Sequence, residues 1–116
     1  MSPEDRDLGY VWDVCDACSD VVEFMNQISY VDYERNKMLR SAVERKLEII
    51  GEASKNIRQD FKQRYVDVAW QKATGLRNIL AHEYGSIRHE IIYSIATRHI
   101  PVLLEQMKHI LSERQK

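Results

Sequence analysis

Near the N-terminus, Leu8, Val11, Cys15, Cys18, Val22 and Met25 recur at alternating steps of three and four. That spacing lays one apolar stripe along a helix and predicts α-helix from about Asp5 to Ser29. Pro3 suits its first turn, where a missing N–H leaves no bond unmade. Asp32-Tyr33-Glu34-Arg35-Asn36 reads as a polar connection or short turn. The next periodic segment runs from about Asn36 to Arg58, with Leu39, Val43, Leu47, Ile50 and Ile57 on one face. Met38, Ala42, Ile49 and Ala53 widen that face to about half the circumference at roughly 100° per residue. A surface helix needs only a stripe about 100° wide. The extra width predicts burial on two sides, by the domain's own core and by a partner chain. Gly51, in mid-helix, costs about 1 kcal/mol relative to Ala, and close approach by another helix would offset that.

Gln59 to Asp67 mixes charges and aromatics, as a short helix or loop would. A third full helix is predicted from about Val68 to Glu83. Gly85 sits near its C-cap, and Ser86 is a candidate N-cap for the next helix. The last helix is predicted from about Ile87 to Glu113 on Ile92, Ala96, His99, Leu103, Met107 and Ile110, kinked by Pro101. β-branched residues nowhere alternate as in strands. The expectation is therefore an all-α, up-down bundle of about five helices in a single domain, 1–116.

With 44% hydrophobic and 30% charged residues, the chain has a globular rather than disordered composition. Lys and Arg number 17 against 18 Asp and Glu, so there is no basic excess to signal nucleic acid, although a local patch can still bind it. No apolar run nears the roughly 20 residues that span a bilayer, and the polar, acidic N-terminus is unlike a secretory signal. A cytoplasmic chain without membrane contact is expected. Cys15 and Cys18 extend the apolar stripe and read as core thiols rather than a redox or zinc pair. His82, His89, His99 and His109 lack metal-ligand spacing, so neither metal nor cofactor is expected. His99 falls on an apolar face and reads as a core or interface histidine. Glu44, Glu48 and Glu52 repeat at steps of four, with surface pairing to Arg45 and Lys55 the ordinary reading.

The chemistry concentrates in Arg77-Asn78-Ile79-Leu80-Ala81-His82-Glu83-Tyr84. With Arg77 at zero on a helical wheel, Leu76, Ile79, Leu80, Ala69 and Ala73 fall between about 200° and 320°, a buried face. Thr74, Asn78, Gln71 and His82 fall within about 140° of Arg77 on the polar side. A solvated face does the same without any chemistry. His82, however, lies in the last helical turn, and histidine moves protons near neutral pH. Arg77 offers a fixed positive fork for phosphate. For RNA, His82 would take the 2′-hydroxyl proton or protonate the leaving 5′-oxygen, and Arg77 would neutralise charge on the phosphorane. One histidine does not readily do both transfers, so two chains across a two-fold would complete the site.

Arg77-Asn78-x3-His82-x-Tyr84 resembles the signature of HEPN domains of the HepT-like branch. The segment Ala42 to Ala53, Trp70 ahead of Gly75-Leu76-Arg77-Asn78, and Ile100-Pro101-Val102-Leu103-Leu104 are similar as well. The resemblance implies a homodimeric bundle acting as a metal-independent ribonuclease toxin of a type VII-like toxin–antitoxin pair. Arg77 and His82 would be catalytic and Asn78 a polar support. Tyr84 would be AMPylated by the antitoxin, an MntA-like nucleotidyltransferase. The chain departs from the family pattern after Tyr84: Gly85-Ser86-Ile87-Arg88 replaces an aromatic and then an acidic residue. Arg88 could contact phosphate or simply be solvated. The alternative to an enzyme is a non-catalytic helical binding subunit of a minimal nucleotidyltransferase.

Overall fold

The two longest helices each begin at a side chain that satisfies open N–H groups. In the computed structural model, which describes residues 1–114, α1 spans Pro3–Phe24. Ser2 and Asp5 cap it reciprocally: Ser2 Oγ accepts Asp5 N–H at 3.1 Å, and Asp5 accepts Ser2 N–H at 3.3 Å. Its buried face is Val11, Val14, Ala17, Cys18 and Val21, with Leu8, Cys15 and Val22 as half-buried flanks. The stripe is thus centred about one position away from the expected one. Gln27, at φ +60°, turns the chain out of α1.

The segment expected as a polar connection is a helix, α2 (Tyr30–Arg35), capped by Ser29. Packing decides this. Tyr33 is fully buried, and Tyr93 stacks edge-on to Tyr30 at 5.4 Å while donating its hydroxyl to Ile28 O at 2.7 Å. Asn36 then caps α3 (Lys37–Asn56), its Oδ1 accepting Leu39 N–H at 3.0 Å. On one side α3 packs on α1, and on the other it packs on the short helices α5 (Trp70–Thr74) and α6 (Leu76–His82). Its wide apolar face is therefore largely covered within the chain itself. Met38, at 80% exposure, is the part left open.

Gln59–Lys62 forms the short helix α4. The expected third helix is two, starting at Trp70 rather than Val68 and broken at Gly75. A Cβ on Gly75 would lie 3.1 Å from Gln71 O, so the break uses the residue without one. Gly85 does not close this helix. At φ +66° it opens the next, α7 (Gly85–Ser94), and Ser86 lies inside α7 rather than capping it.

The expected kink at Pro101 takes the form of a π-turn, Ile95–His99, between α7 and α8 (Ile100–Arg114). Pro101 has no N–H, and its ring crowds the carbonyl four residues earlier; a wider turn relieves both. The added residue shifts the register. His99, expected on the apolar face, is exposed, and Ile100 is buried in its place. The core joins α1, α3 and α8 through Val14, Val43, Leu47, Ile50, Leu104 and Met107. Asp7, 1% exposed, locks α1 to the end of α3 by accepting Arg58 N–H at 3.0 Å and Arg58 Nε at 2.8 Å. No strand occurs among the described residues, and residues 115–116 of the expected domain lie outside them.

Candidate active site

Leu76 is buried and anchors α6 against the core, while Ile79 and Leu80 are half-buried. Arg77, Asn78 and His82 are exposed on the opposite side, as the helical wheel requires. Arg77 is held from below. Its guanidinium pairs with Glu52 on α3, and its Cγ lies where a Cβ on Gly51 would approach to 2.9 Å. The mid-helix glycine is the seat of the arginine. Sequence reasoning anticipated a close approach at Gly51 but not that Arg77 makes it.

The three glutamates of α3 are the counter-charges of this face. Glu52 pairs with Arg77, Glu44 with Arg88, and Glu48 with Arg45 at 2.6 Å. Only the last is the within-helix surface pair expected from spacing. Two shallow clefts of about 450 and 400 Å³ meet at Arg77, with Glu44, Leu80 and Arg88 in one and Glu52, Tyr10 and Asn56 in the other. Glu44 and Glu52 line the clefts at Arg77 through cross-helix pairs rather than the surface pairing expected of them. Their signal was a four-residue repeat on the same helix as Gly51.

His82 is the last residue of α6, five positions beyond Arg77. Five positions amount to roughly 7.5 Å of rise and about 140° of rotation. Its ring makes no hydrogen bond or ion pair among the described residues, and neither cleft at Arg77 includes it. One chain thus displays Arg77 and His82, both exposed on α6, without joining them in one cleft. Tyr84 is 73% exposed, and its hydroxyl donates to Ala81 O at 3.1 Å. Arg88 is neither solvated nor free: it donates to Leu80 O at 2.8 Å and pairs with Glu44.

The remaining candidates are structural or exposed. Cys18 is buried, and burial pushes its thiol up to about 12; Cys15, less buried, is also raised by desolvation. His109 lies 3.4 Å from Glu113 on the surface of α8. Among the described residues, no three His, Cys, Asp or Glu side chains cluster closely enough to share a metal ion. No helix there is long and apolar enough to cross a membrane.

The family model for ribonuclease HepT-like proteins matches residues 14–110, a span that includes α3, α6 and the whole Arg77–Tyr84 segment. The chain belongs to the HepT-like family. The HepT-like chain is 38% identical over 104 residues to a Methanocaldococcus jannaschii protein with an inferred RNase assignment, covering 89% of this chain and 95% of that one. It is 34% identical over 106 residues to a Caldanaerobacter subterraneus protein assigned in the same way, covering 91% and 95%. It is also 35% identical over 94 residues to a probable ribonuclease HepT of Thermococcus cleftensis, covering 81% and 86%. No solved structure matches it significantly.

Proposed function

We propose that this HepT-like chain is an endoribonuclease that cuts RNA without a metal ion, at a site completed by a second copy of itself. The observation that carries this is the placement of Arg77 and His82 on one exposed face of α6, with Arg77 seated on Gly51 and Glu52. His82 takes the proton of the 2′-hydroxyl, whose oxygen then attacks the adjacent phosphorus. The 5′-oxygen leaves with a proton given by His82 of the partner subunit. The products are a 2′,3′-cyclic phosphate and a 5′-hydroxyl. Arg77 stabilises the charge that gathers on the phosphorane oxygens, where fixed donors act most strongly. Asn78, exposed beside Arg77, is a polar support for the phosphate. Two copies supply the two proton carriers that one lacks.

In this reading the activity is a toxin, restrained by an MntA-like nucleotidyltransferase antitoxin. The exposed Tyr84 hydroxyl attacks the α-phosphorus of ATP, pyrophosphate leaves, and an adenylate remains on Oη. A negative phosphodiester beside His82 then repels the RNA backbone. The decisive experiment is cleavage of a labelled single-stranded RNA in excess chelator by wild type and by His82→Ala, with the oligomeric state of both measured. Loss of cleavage in a variant that keeps the wild-type mass supports the assignment. Equal cleavage by the two proteins refutes it.

A further inference from the structure

Helix α6 ends without the left-handed glycine that closes many helices. Glu83 is extended (φ −98°, ψ 141°), as is Tyr84 (φ −134°, ψ 156°). The last carbonyls of α6 therefore need donors from elsewhere. Ile79 O accepts Glu83 N–H at 3.0 Å, and Ala81 O accepts the Tyr84 hydroxyl at 3.1 Å. Leu80 O accepts Arg88 Nη1 at 2.8 Å. The same nitrogen lies 3.4 Å from Glu83 O, and the other terminal nitrogen binds the Glu44 carboxylate on α3.

This is the most shielded charge pair near the site. The Arg88 and Glu44 side chains are 22% and 23% exposed, against 52% for both Arg77 and Glu52. Shielded, charge-assisted bonds resist competition from water and salt better than surface pairs do. A planar guanidinium is also the side chain able to hold a carbonyl on one edge and a carboxylate on another.

We propose that Arg88 is a positioning residue: it closes the C-terminus of α6 and ties that end to Glu44, so fixing His82 and Tyr84 in place. For catalysis this rests on the role given to His82 above; the bracing itself does not. The rival role is direct contact with a substrate phosphate. The two separate cleanly. A brace sets the rate of the chemical step and the rigidity of the helix end. A phosphate contact sets affinity and its dependence on salt, with a slope of about 0.7 per contact for single strands.

The test uses the full chain with Arg88→Ala, Arg88→Lys and Glu44→Gln, read by amide hydrogen exchange and by RNA cleavage kinetics. In Arg88→Ala, exchange at Ala81, His82 and Glu83 accelerates about tenfold, as loss of one charge-assisted bond implies, while α1 and α8 stay protected. The kcat falls by a similar factor with KM and its salt slope unchanged. Arg88→Lys recovers part of both, because a single ammonium cannot fork. Unchanged exchange at those three amides overturns the brace, as does a raised KM with a shallower salt slope. If Arg88→Ala does not fold, Glu44→Gln decides, with a smaller acceleration expected at the same amides and no acceleration refuting the tie to α3. Should wild type cleave no RNA, the catalytic assignment fails, and the exchange measurement still decides the brace.

Discussion

Replacing Gly51 with alanine tests the seat of Arg77 directly. A helix-interior Gly→Ala change ordinarily stabilises by about 1 kcal/mol. Here the added methyl would lie 2.9 Å from Arg77 Cγ, 3.4 Å from Arg77 N and 3.5 Å from Ala73 O. The first distance is shorter than real Cβ contacts allow, and Cγ is near the root of the side chain rather than its free end. Either Arg77 leaves its rotamer or α6 lifts from α3, and overpacking of this kind costs about 1–3 kcal/mol. The propensity gain offsets part of that, so net destabilisation should be about 0–2 kcal/mol. The effect on chemistry should be larger. A shift of about 1 Å in a charge-stabilising group can lower the rate about a hundredfold. Urea unfolding and single-turnover RNA cleavage, with Arg77→Ala alongside, provide the comparison. The expected pattern is a stability loss of about 0–2 kcal/mol with cleavage reduced about 10- to 100-fold. Wild-type cleavage by Gly51→Ala, with Arg77→Ala inactive, would refute the claim that the glycine positions the arginine.

Two further expectations concern the scaffold. Asp7→Ala removes the acceptor of both Arg58 bonds and leaves Arg58 N–H facing a cavity; it should cost about 2–3 kcal/mol in urea unfolding, and a loss below about 0.5 kcal/mol would show the pair to be dispensable. Burial keeps the proton on Cys18 up to about 12 in the fold, against 9.0 for an ordinary exposed thiol, so the unfolded chain releases that proton first as pH rises. Its contribution to stability is complete below pH 9 and declines towards pH 12; Cys18→Ala should flatten the alkaline slope of stability, and an unchanged slope would contradict the buried thiol.

Most of the helical frame is legible in the sequence because it rests on local signals. Ser2 with Asp5, and Asn36 with Leu39, mark the starts of α1 and α3 within one or two residues of the predicted boundaries. Periodicity likewise places Arg77, Asn78 and His82 on one face. What was hidden is tertiary. Tyr33 makes α2 a helix by packing against Tyr93, 60 positions later in the chain, which no local pattern reveals. The break at Gly75 and the π-turn before Pro101 both shift the register, so wheels drawn straight through them misplace Ala69 and His99. The roles of Glu44 and Glu52 depend on pairing across helices to Arg88 and Arg77. The wide face of α3 was legible as such; its principal cover, α1 on one side and α5 and α6 on the other, was not.

The bond from Tyr84 to Ala81 O gives the proposed modification a second edge. A phenol has a single hydrogen, and esterification of Oη consumes it. An adenylylated Tyr84 can accept hydrogen bonds but can no longer donate one, so Ala81 O loses its partner on the turn that ends in His82. The mark would then work as the removal of a strut as well as the addition of a charge. High salt screens the charge and leaves the missing strut missing, so inhibition of this kind would persist where electrostatic repulsion fades.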